Sequence, residues 1–409
     1  MNHNQNFMTG INYWPAHKAM YWWRHFEARE VEEDFKRLAE IEFQLVRIFL
    51  TWEDFQTTPE TISAASVAHL QQTADLAASY GLKLMPTFFC GHMSGINWMP
   101  AWMLADGEGE GRFPVFSNNR TSWSGIRNCY TDQEVMEAQL IQIQAVVTAL
   151  RDHDAIFAYD LGNEPSNWVI PPQRSDARKW LETMTSKIKH YSGGALVTLG
   201  MHAEDLEEDR FLWPQDTASY CDFLCMHGYP CYLSWVDDPL DSDLVPFLAI
   251  ITAWLGQKPV LLQEFGVPTR SVLTPTPPID YESLCLCPLW SEDEAAQYYN
   301  KVLGRLVEAG MMGGMAWCFA DYSPSLWETP PLDKCLHERH FGIFRSDGTA
   351  KPAAEIFRDY KDTAIRNQPD PIQISNPWLT NIDRDKFYQS PGINLSHLFH
   401  TYKEWRKGR

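Results

Sequence analysis

The chain has 409 residues, 44% hydrophobic and 21% charged, with 23 Gly and 26 Pro, a balance that excludes the disordered and fibrous classes. A formal net charge of −19 argues against a nucleic-acid partner, because binding a phosphate backbone needs clustered Lys and Arg. No apolar run reaches transmembrane length.

In chain order, "MNHNQNFMTGINYWP" lacks a basic region followed by an apolar stretch, which makes a cytoplasmic location the expectation. Eight short apolar runs follow: 7–12 "FMTGIN", 44–50 "QLVRIFL", 83–89 "KLMPTFF", 155–162 "AIFAYDLG", 195–200 "ALVTLG", 222–228 "DFLCMHG", 259–266 "PVLLQEFG" and 313–319 "GGMAWCF". Between them lie amphipathic segments such as "VEEDFKRLAEI" and "SEDEAAQYYNKVLGRLVEAG". Several open on Ser, Thr or Asp caps and stop at Gly. Only the helix after the fifth run is poorly patterned. Continuous apolar strands alternating with helices predict an α/β fold with a parallel sheet covered by helices, and eight such units close a (β/α)₈ TIM barrel.

Segments before the strands are short, whereas 90–131, 267–290 and 320–350, which follow strands three, seven and eight, are long βα loops. In this fold the loops at the C-terminal strand ends build the active site. Residues 1–361 are therefore read as the barrel and 362–409 as a C-terminal extension packed on or beside it. Nine Cys is an odd number; several lie in strand runs, so reduced buried thiols are expected and no disulfide framework. "CLC" at 285–287 has no partner pair at metal-ligand spacing, so no metal site is expected. "GEGEG" at 107–111 is an acidic turn without the Lys of a phosphate loop.

Glu164 ends strand four in "LGNEP" and Glu264 ends strand seven in "LLQEFG". A closed barrel brings both carboxylates over one opening, the minimum equipment for glycoside hydrolysis. Pro165 constrains the chain as it leaves the sheet, and Asn163 can donate an amide hydrogen bond to a sugar hydroxyl.

On "LGNEP" and "QEFG" the sequence resembles glycoside hydrolase family 5 of clan A, the cellulase and mannanase group, over roughly 7–360. The resemblance implies a retaining mechanism with Glu164 as acid/base and Glu264 as nucleophile. It also implies supporting roles for Arg47 in "LVRIF", His92, His227 and Tyr229 in "MHGYP", and Trp317 in "MAWCF". Arg47 would keep Glu264 ionised, Tyr229 would hydrogen-bond the same carboxylate, and the negative Glu264 would raise the pKa of Glu164. Trp317 would floor the cleavage subsite, and His92 and His227 would hold hydroxyls.

Trp98, Trp102 and Trp123 either line sugar subsites or form the small core of their loop. "HGYPCYLSW" at 227–235, ending on Trp235, is similar to the strand-six segment of family 5 mannanases. It implies a glycoside or oligosaccharide substrate of the β-mannoside class; the long loops after strands three, seven and eight would wall off the groove into a pocket for a chain end, and a cytoplasmic enzyme would meet short oligosaccharides. The alternatives are a β-glucosidase or endo-β-glucanase of the same mechanism and, more remotely, a non-catalytic carbohydrate-binding barrel. Acid, nucleophile and water complete the reaction, so no cofactor is expected. Nothing in the sequence specifies an oligomeric state.

Overall fold

The computed structural model describes residues 6–109, 111–273, 287–361, 363, 377–379 and 382–408. Each of the eight apolar runs contains one strand: β1 (Met8–Tyr13), β2 (Leu45–Thr51), β3 (Lys83–Cys90), β4 (Ala158–Asn163), β5 (Leu196–His202), β6 (Leu224–His227), β7 (Val260–Phe265) and β8 (Gly313–Ala316). Neighbours pair in parallel and β1 pairs with both β2 and β8, closing the barrel. A (β/α)₈ barrel is thus the architecture.

The helices between strands are α1 (Ala28–Glu40), α2 (Ala64–Ser79), α3 (Gln133–Ala149), α4 (Arg174–Ser192), α5 (Pro214–Tyr220), α6 (Leu244–Gly256) and α7 (Glu292–Glu308), with α8 (Pro352–Tyr360) after β8. Ser63, Asp132 and Ser291 accept backbone N–H bonds at the starts of α2, α3 and α7, and Ser291 forms a full capping box with Glu294. These caps satisfy donors that a helix start leaves unpaired. The poorly patterned helix is α5, only seven residues long and opened by Pro214.

Helix α6 is buried on almost every side, from Leu244 to Leu255. A helix apolar all round needs cover on its outer face, and α9 (Pro391–Lys407) supplies it: Phe399 and Tyr402 lie 5.0 and 5.7 Å from the Phe247 ring. Burying each such aromatic contributes roughly 1.5–3 kcal/mol. Just before α9, Tyr388 stacks on Trp213 and donates to the Asp205 carbonyl at 2.8 Å.

Inside the barrel the layers differ in polarity. Leu45, Met85, Ala158, Phe223, Cys225, Leu261 and Met315 form an apolar plug. Toward the C-terminal strand ends the interior carries Asn12, Arg47, Thr87, Asp160, Asn163, Gln263 and Glu264, all buried. Gly200 makes room for them: a Cβ there would lie 2.8 Å from Gln263 Oε1 and 3.0 Å from Arg47 Nη2.

The segment after β3 is a small structure of its own. His92–Met93, Ile96–Trp98, Val115–Ser117 and Arg120–Ser122 form a four-stranded sheet, and Leu104–Glu108 pairs with Ser124–Ile126. Of the segment after β7, residues 274–286 lie outside the described residues, and Cys285 of "CLC" with them. The described cysteines are all free thiols. Among the described residues no helix is long and apolar enough to cross a membrane.

Candidate active site

Glu164 leaves β4 in the left-handed region, at φ 47° and ψ 54°, a conformation that costs a non-glycine residue about 1–3 kcal/mol. It is held there from both sides. Its backbone N–H donates to the Gly200 carbonyl on β5 at 3.0 Å, and its carbonyl accepts from Asn167 N–H at 2.9 Å. Asn167 also donates its amide to Glu164 Oε2 at 2.8 Å, and Arg210 donates to Asn167 Oδ1 at 3.3 Å. Strain, strand end and Pro165 together turn the carboxyl out of the sheet and over the barrel.

Arg47 is fully buried on β2, where an unpaired cation would cost far more than the strand gains. Its guanidinium forms ion pairs with Asp160 on β4 (2.8 Å) and with Glu264 on β7, and donates further to Thr87 (2.9 Å), Asn163 (2.9 Å) and Asn12 (3.2 Å). Glu264 thereby has one oxygen on Arg47, and Tyr229 donates to the other at 2.9 Å.

His227, at the end of β6, lies between the two glutamates. Its Nδ1 is 2.8 Å from Glu164 Oε1 and 3.4 Å from Glu264 Oε2, and its Nε2 is 2.8 Å from Gln263 Oε1. Gln263 donates its amide N–H to Asp160 at 3.0 Å, so its carbonyl oxygen faces the ring and Nε2 must be the donor. Nδ1 faces carboxylates, which only accept. Burial lowers the pKa of His227, but the charges of Glu264 and Glu164 and the bond to Glu164 raise it overall, which favours the imidazolium form.

The same arrangement reverses one expectation. Burial favours a protonated Glu164, but the neighbouring His202 and the bond and charge of His227 outweigh it and hold the carboxyl well below the usual range. Burial pushes Glu264 up; His227 and Arg47 oppose this without cancelling it, and Glu164 adds to it. The sequence reading expected Glu264 to lift Glu164 and Arg47 to keep Glu264 low. It weighed one neighbour for each, whereas three histidines gather around Glu164.

A pocket opens above these groups, enclosing about 780 Å³ when the open space at its mouth is included. Glu164, Glu264, His92, Asn163, His227, Tyr229 and Trp317 all line it, with Arg47 buried beneath. Trp317 follows the end of β8 and packs edge-on against Trp14 at 4.9 Å. His92 donates Nδ1–H to Asn97 Oδ1 at 2.9 Å, and burial lowers its pKa to about 4. It is neutral, with Nε2 an acceptor able to receive a hydroxyl. His227 differs from the sequence reading: both ring nitrogens are committed to protein groups, so it holds carboxylates where a hydroxyl was expected.

None of the four candidate subsite tryptophans lines the pocket. Trp98 is buried in the loop sheet against Tyr21 and Phe116. Trp102 donates to the Gln56 carbonyl and packs on Trp52. Trp235 packs under α9 on Phe399, and Trp123 is 49% exposed on the outer loop. The loop and the extension need their own cores, and Trp98, Trp102 and Trp235 contribute to them. Aromatic contact inside the pocket comes instead from Phe113, Tyr229, Tyr232 and Trp317.

Several polar groups escaped the sequence reading. Asp160 and Gln263 each break an apolar strand, the same signal that singled out Arg47. His202 ends β5 and bonds Ser166 at 2.8 Å, while Ser166 donates to Asp205 at 2.6 Å. His337 and Glu338, from the loop after β8, carry no strand pattern to betray them, and only folding brings them to the pocket.

A family model described as Cellulase (glycosyl hydrolase family 5) matches residues 2–282. A curated relative, mannan endo-1,4-beta-mannosidase F of Aspergillus clavatus, is 24% identical over 239 residues, 54% of this chain and 49% of that protein. The chain thus spans about half the length of that relative. Among solved structures, exo-beta-1,4-mannosidase Op5Man5 of Opitutaceae bacterium strain TAV5 is 25% identical, with a TM-score of 0.69 over 87% of this chain and 59% of that one. A GH5_18 protein of Streptomyces cattleya, solved with Manβ1-4GlcNAc, is 21% identical, with a TM-score of 0.70 over 87% of this chain and 80% of that one. With a family model covering more than half of its length, the chain belongs to glycosyl hydrolase family 5.

Proposed function

We propose that the protein hydrolyses β-mannosidic bonds in short oligosaccharides or simple glycosides, with retention of configuration and from the non-reducing end. The observation that carries the mechanism is the carboxylate spacing. Oxygens of Glu164 and Glu264 lie within 4.8 Å of each other with His227 between them. This closeness supports the narrow carboxyl pair of retaining enzymes, ~5–5.5 Å apart, over the wider pair that inversion needs to admit a water.

In this reading Glu264 attacks the anomeric carbon while Glu164 gives a proton to the leaving oxygen. The aglycone departs, water attacks the glycosyl ester, Glu164 takes the proton of that water and Glu264 is released. The proton that Glu164 must donate is stored on His227, one 2.8 Å hydrogen bond away. Substrate entry excludes water, and the transfer leaves a neutral acid beside a neutral imidazole.

The chain-end reading is supported by the loops. Ser94 from the β3 loop bonds Tyr322 from the β8 loop at 3.2 Å, and Tyr232 from the β6 loop bonds His337 at 2.6 Å. Three loops therefore meet at one end of the pocket. The mannose preference is supported by the names of the relatives: one mannan mannosidase, one exo-mannosidase and one structure holding Manβ1-4GlcNAc. The family model is described as Cellulase, which favours β-glucosides as a second reading with the same mechanism.

A panel of p-nitrophenyl β-mannoside, β-glucoside and β-galactoside with mannobiose and cellobiose decides between them, with Glu264→Ala as control. Mannoside turnover abolished in the variant is the expected result. A rapid viscosity drop on long mannan before reducing sugar accumulates would overturn the chain-end reading.

A further inference from the structure

The pocket has two poles. His92, His202 and Asn167 stand around Glu164, whereas Trp317, Tyr232, His337 and Ser94 gather around Glu338, and all of them line the pocket. The acid must reach the glycosidic oxygen, so the Glu164 pole faces the leaving group. The opposite pole then faces the sugar whose anomeric carbon is attacked. Across a pyranose ring from that carbon lie the hydroxyls on C3 and C4.

Glu338 is 7% exposed and no lysine or arginine is in ion-pair contact with it among the described residues; its contact is with His337, at 3.6 Å. Trp317 Nε1 donates to one oxygen at 3.2 Å and Tyr232 to the other at 3.1 Å, and the Ser94 side chain is also bonded to it. A carboxylate has about four acceptor sites, so capacity remains toward the pocket. Its acidity supports a costly placement: burial raises the pKa to about 7, against the bonds from Trp317, Ser94 and Tyr232. A buried carboxyl without a cation is expensive to keep, and this one lines the cavity and bonds the aromatic that would floor the sugar.

We propose that Glu338 recognises the non-reducing terminal sugar, bonding its C3 and C4 hydroxyls and walling off the position beyond them. This deepens the chain-end reading above and rests on it. Trp317 and Tyr232 hold the carboxyl in place, and the Ser94–Tyr322 contact behind it closes the wall between the β3 and β8 loops.

The test compares the full chain with Glu338→Gln and Glu338→Ala on p-nitrophenyl β-mannoside, its 4-deoxy analogue, and mannotriose 4-O-methylated on its terminal sugar. In the wild type the 4-deoxy analogue should lose roughly 10- to 100-fold in kcat/KM, as for a bond to a charged group. Glu338→Ala should lose a similar factor on the parent and little more on the analogue, because the two changes remove the same contact. The same variant should cleave the methylated trisaccharide that the wild type refuses. Equal losses by Glu338→Ala on parent and analogue would assign it a scaffold role and overturn the proposal, as would wild-type cleavage of the methylated substrate. Glu338→Gln keeps the volume, and its thermal midpoint separates misfolding from lost recognition. Should the wild type prove active on glucosides only, the mannoside reading fails alone. The glucoside and its 4-deoxy analogue then test Glu338 by the same criteria.

Discussion

The two ends of the pocket hold the same side chain in opposite states. Glu164 is nearly as buried as Glu338, yet His202 and His227 hold its pKa down, whereas the bonds from Trp317, Ser94 and Tyr232 leave burial dominant at Glu338 and its pKa at about 7. Burial alone does not set acidity; the charge of the neighbours decides which way a buried carboxyl moves. In the proposed reading one end moves protons and the other meets hydroxyls.

The largest expected effect lies at the first end. Glu264→Ala should lower kcat on p-nitrophenyl β-mannoside by at least about 10⁴-fold, the scale of nucleophile removal. Glu164→Gln should cost about 10²–10⁴-fold, and much less on a 2,4-dinitrophenyl glycoside, whose leaving group needs no protonation. Equal losses on both leaving groups would remove Glu164 from the acid role.

Taking the cation away from the first end should make it resemble the second. Arg47→Met takes the cation from Asp160 and leaves Glu264 only His227 and Tyr229, with an expected stability loss of about 3–5 kcal/mol in denaturant unfolding at pH 7. The loss should shrink on acidification as Glu264, which burial already raises, takes up a proton. A loss unchanged between pH 4 and 7 would show that packing, not charge, is what Arg47 contributes.

At the second end the sign is reversed. The folded state raises Glu338 from its ordinary 4.5 to about 7, so folding favours the protonated acid. That contribution is fully present below about pH 4.5 and is lost as pH rises through 7, at most ~3 kcal/mol in all. Glu338→Gln mimics the neutral acid and should melt above the wild type at pH 8 and level with it at pH 4. A variant that melts below the wild type at pH 8 would show that Glu338 is paired there with a charged His337, 3.6 Å away. The smallest effect is expected outside both ends: Trp123→Ala, on the exposed loop surface, should change kcat/KM less than about twofold, since surface positions away from special contacts are near neutral.

What could be read before folding was whatever repeats or interrupts a pattern. The eight strands are legible as apolar runs of fixed length between capped helices. Arg47 is legible because a cation inside such a run must be paired. Asp160 and Gln263 carried the same signal, but their partners lie on other strands, 113 and 103 residues away along the chain. The tryptophans misled for a related reason: a loop that folds into its own sheet, and an extension that covers α6, consume aromatic side chains as core, and composition cannot tell a core ring from a sugar platform.

The sequence by itself determined the barrel, the placement of Glu164 and Glu264 at the ends of β4 and β7, and the family, because strand periodicity and strand-end motifs are local properties. Tertiary structure decided the rest: the position of His227 between the carboxylates, the lowered pKa of Glu164 and the capture of Glu338 from a loop without periodicity. Each depends on charges and donors that meet only when the barrel closes, and electrostatic effects follow distance in space rather than separation along the chain.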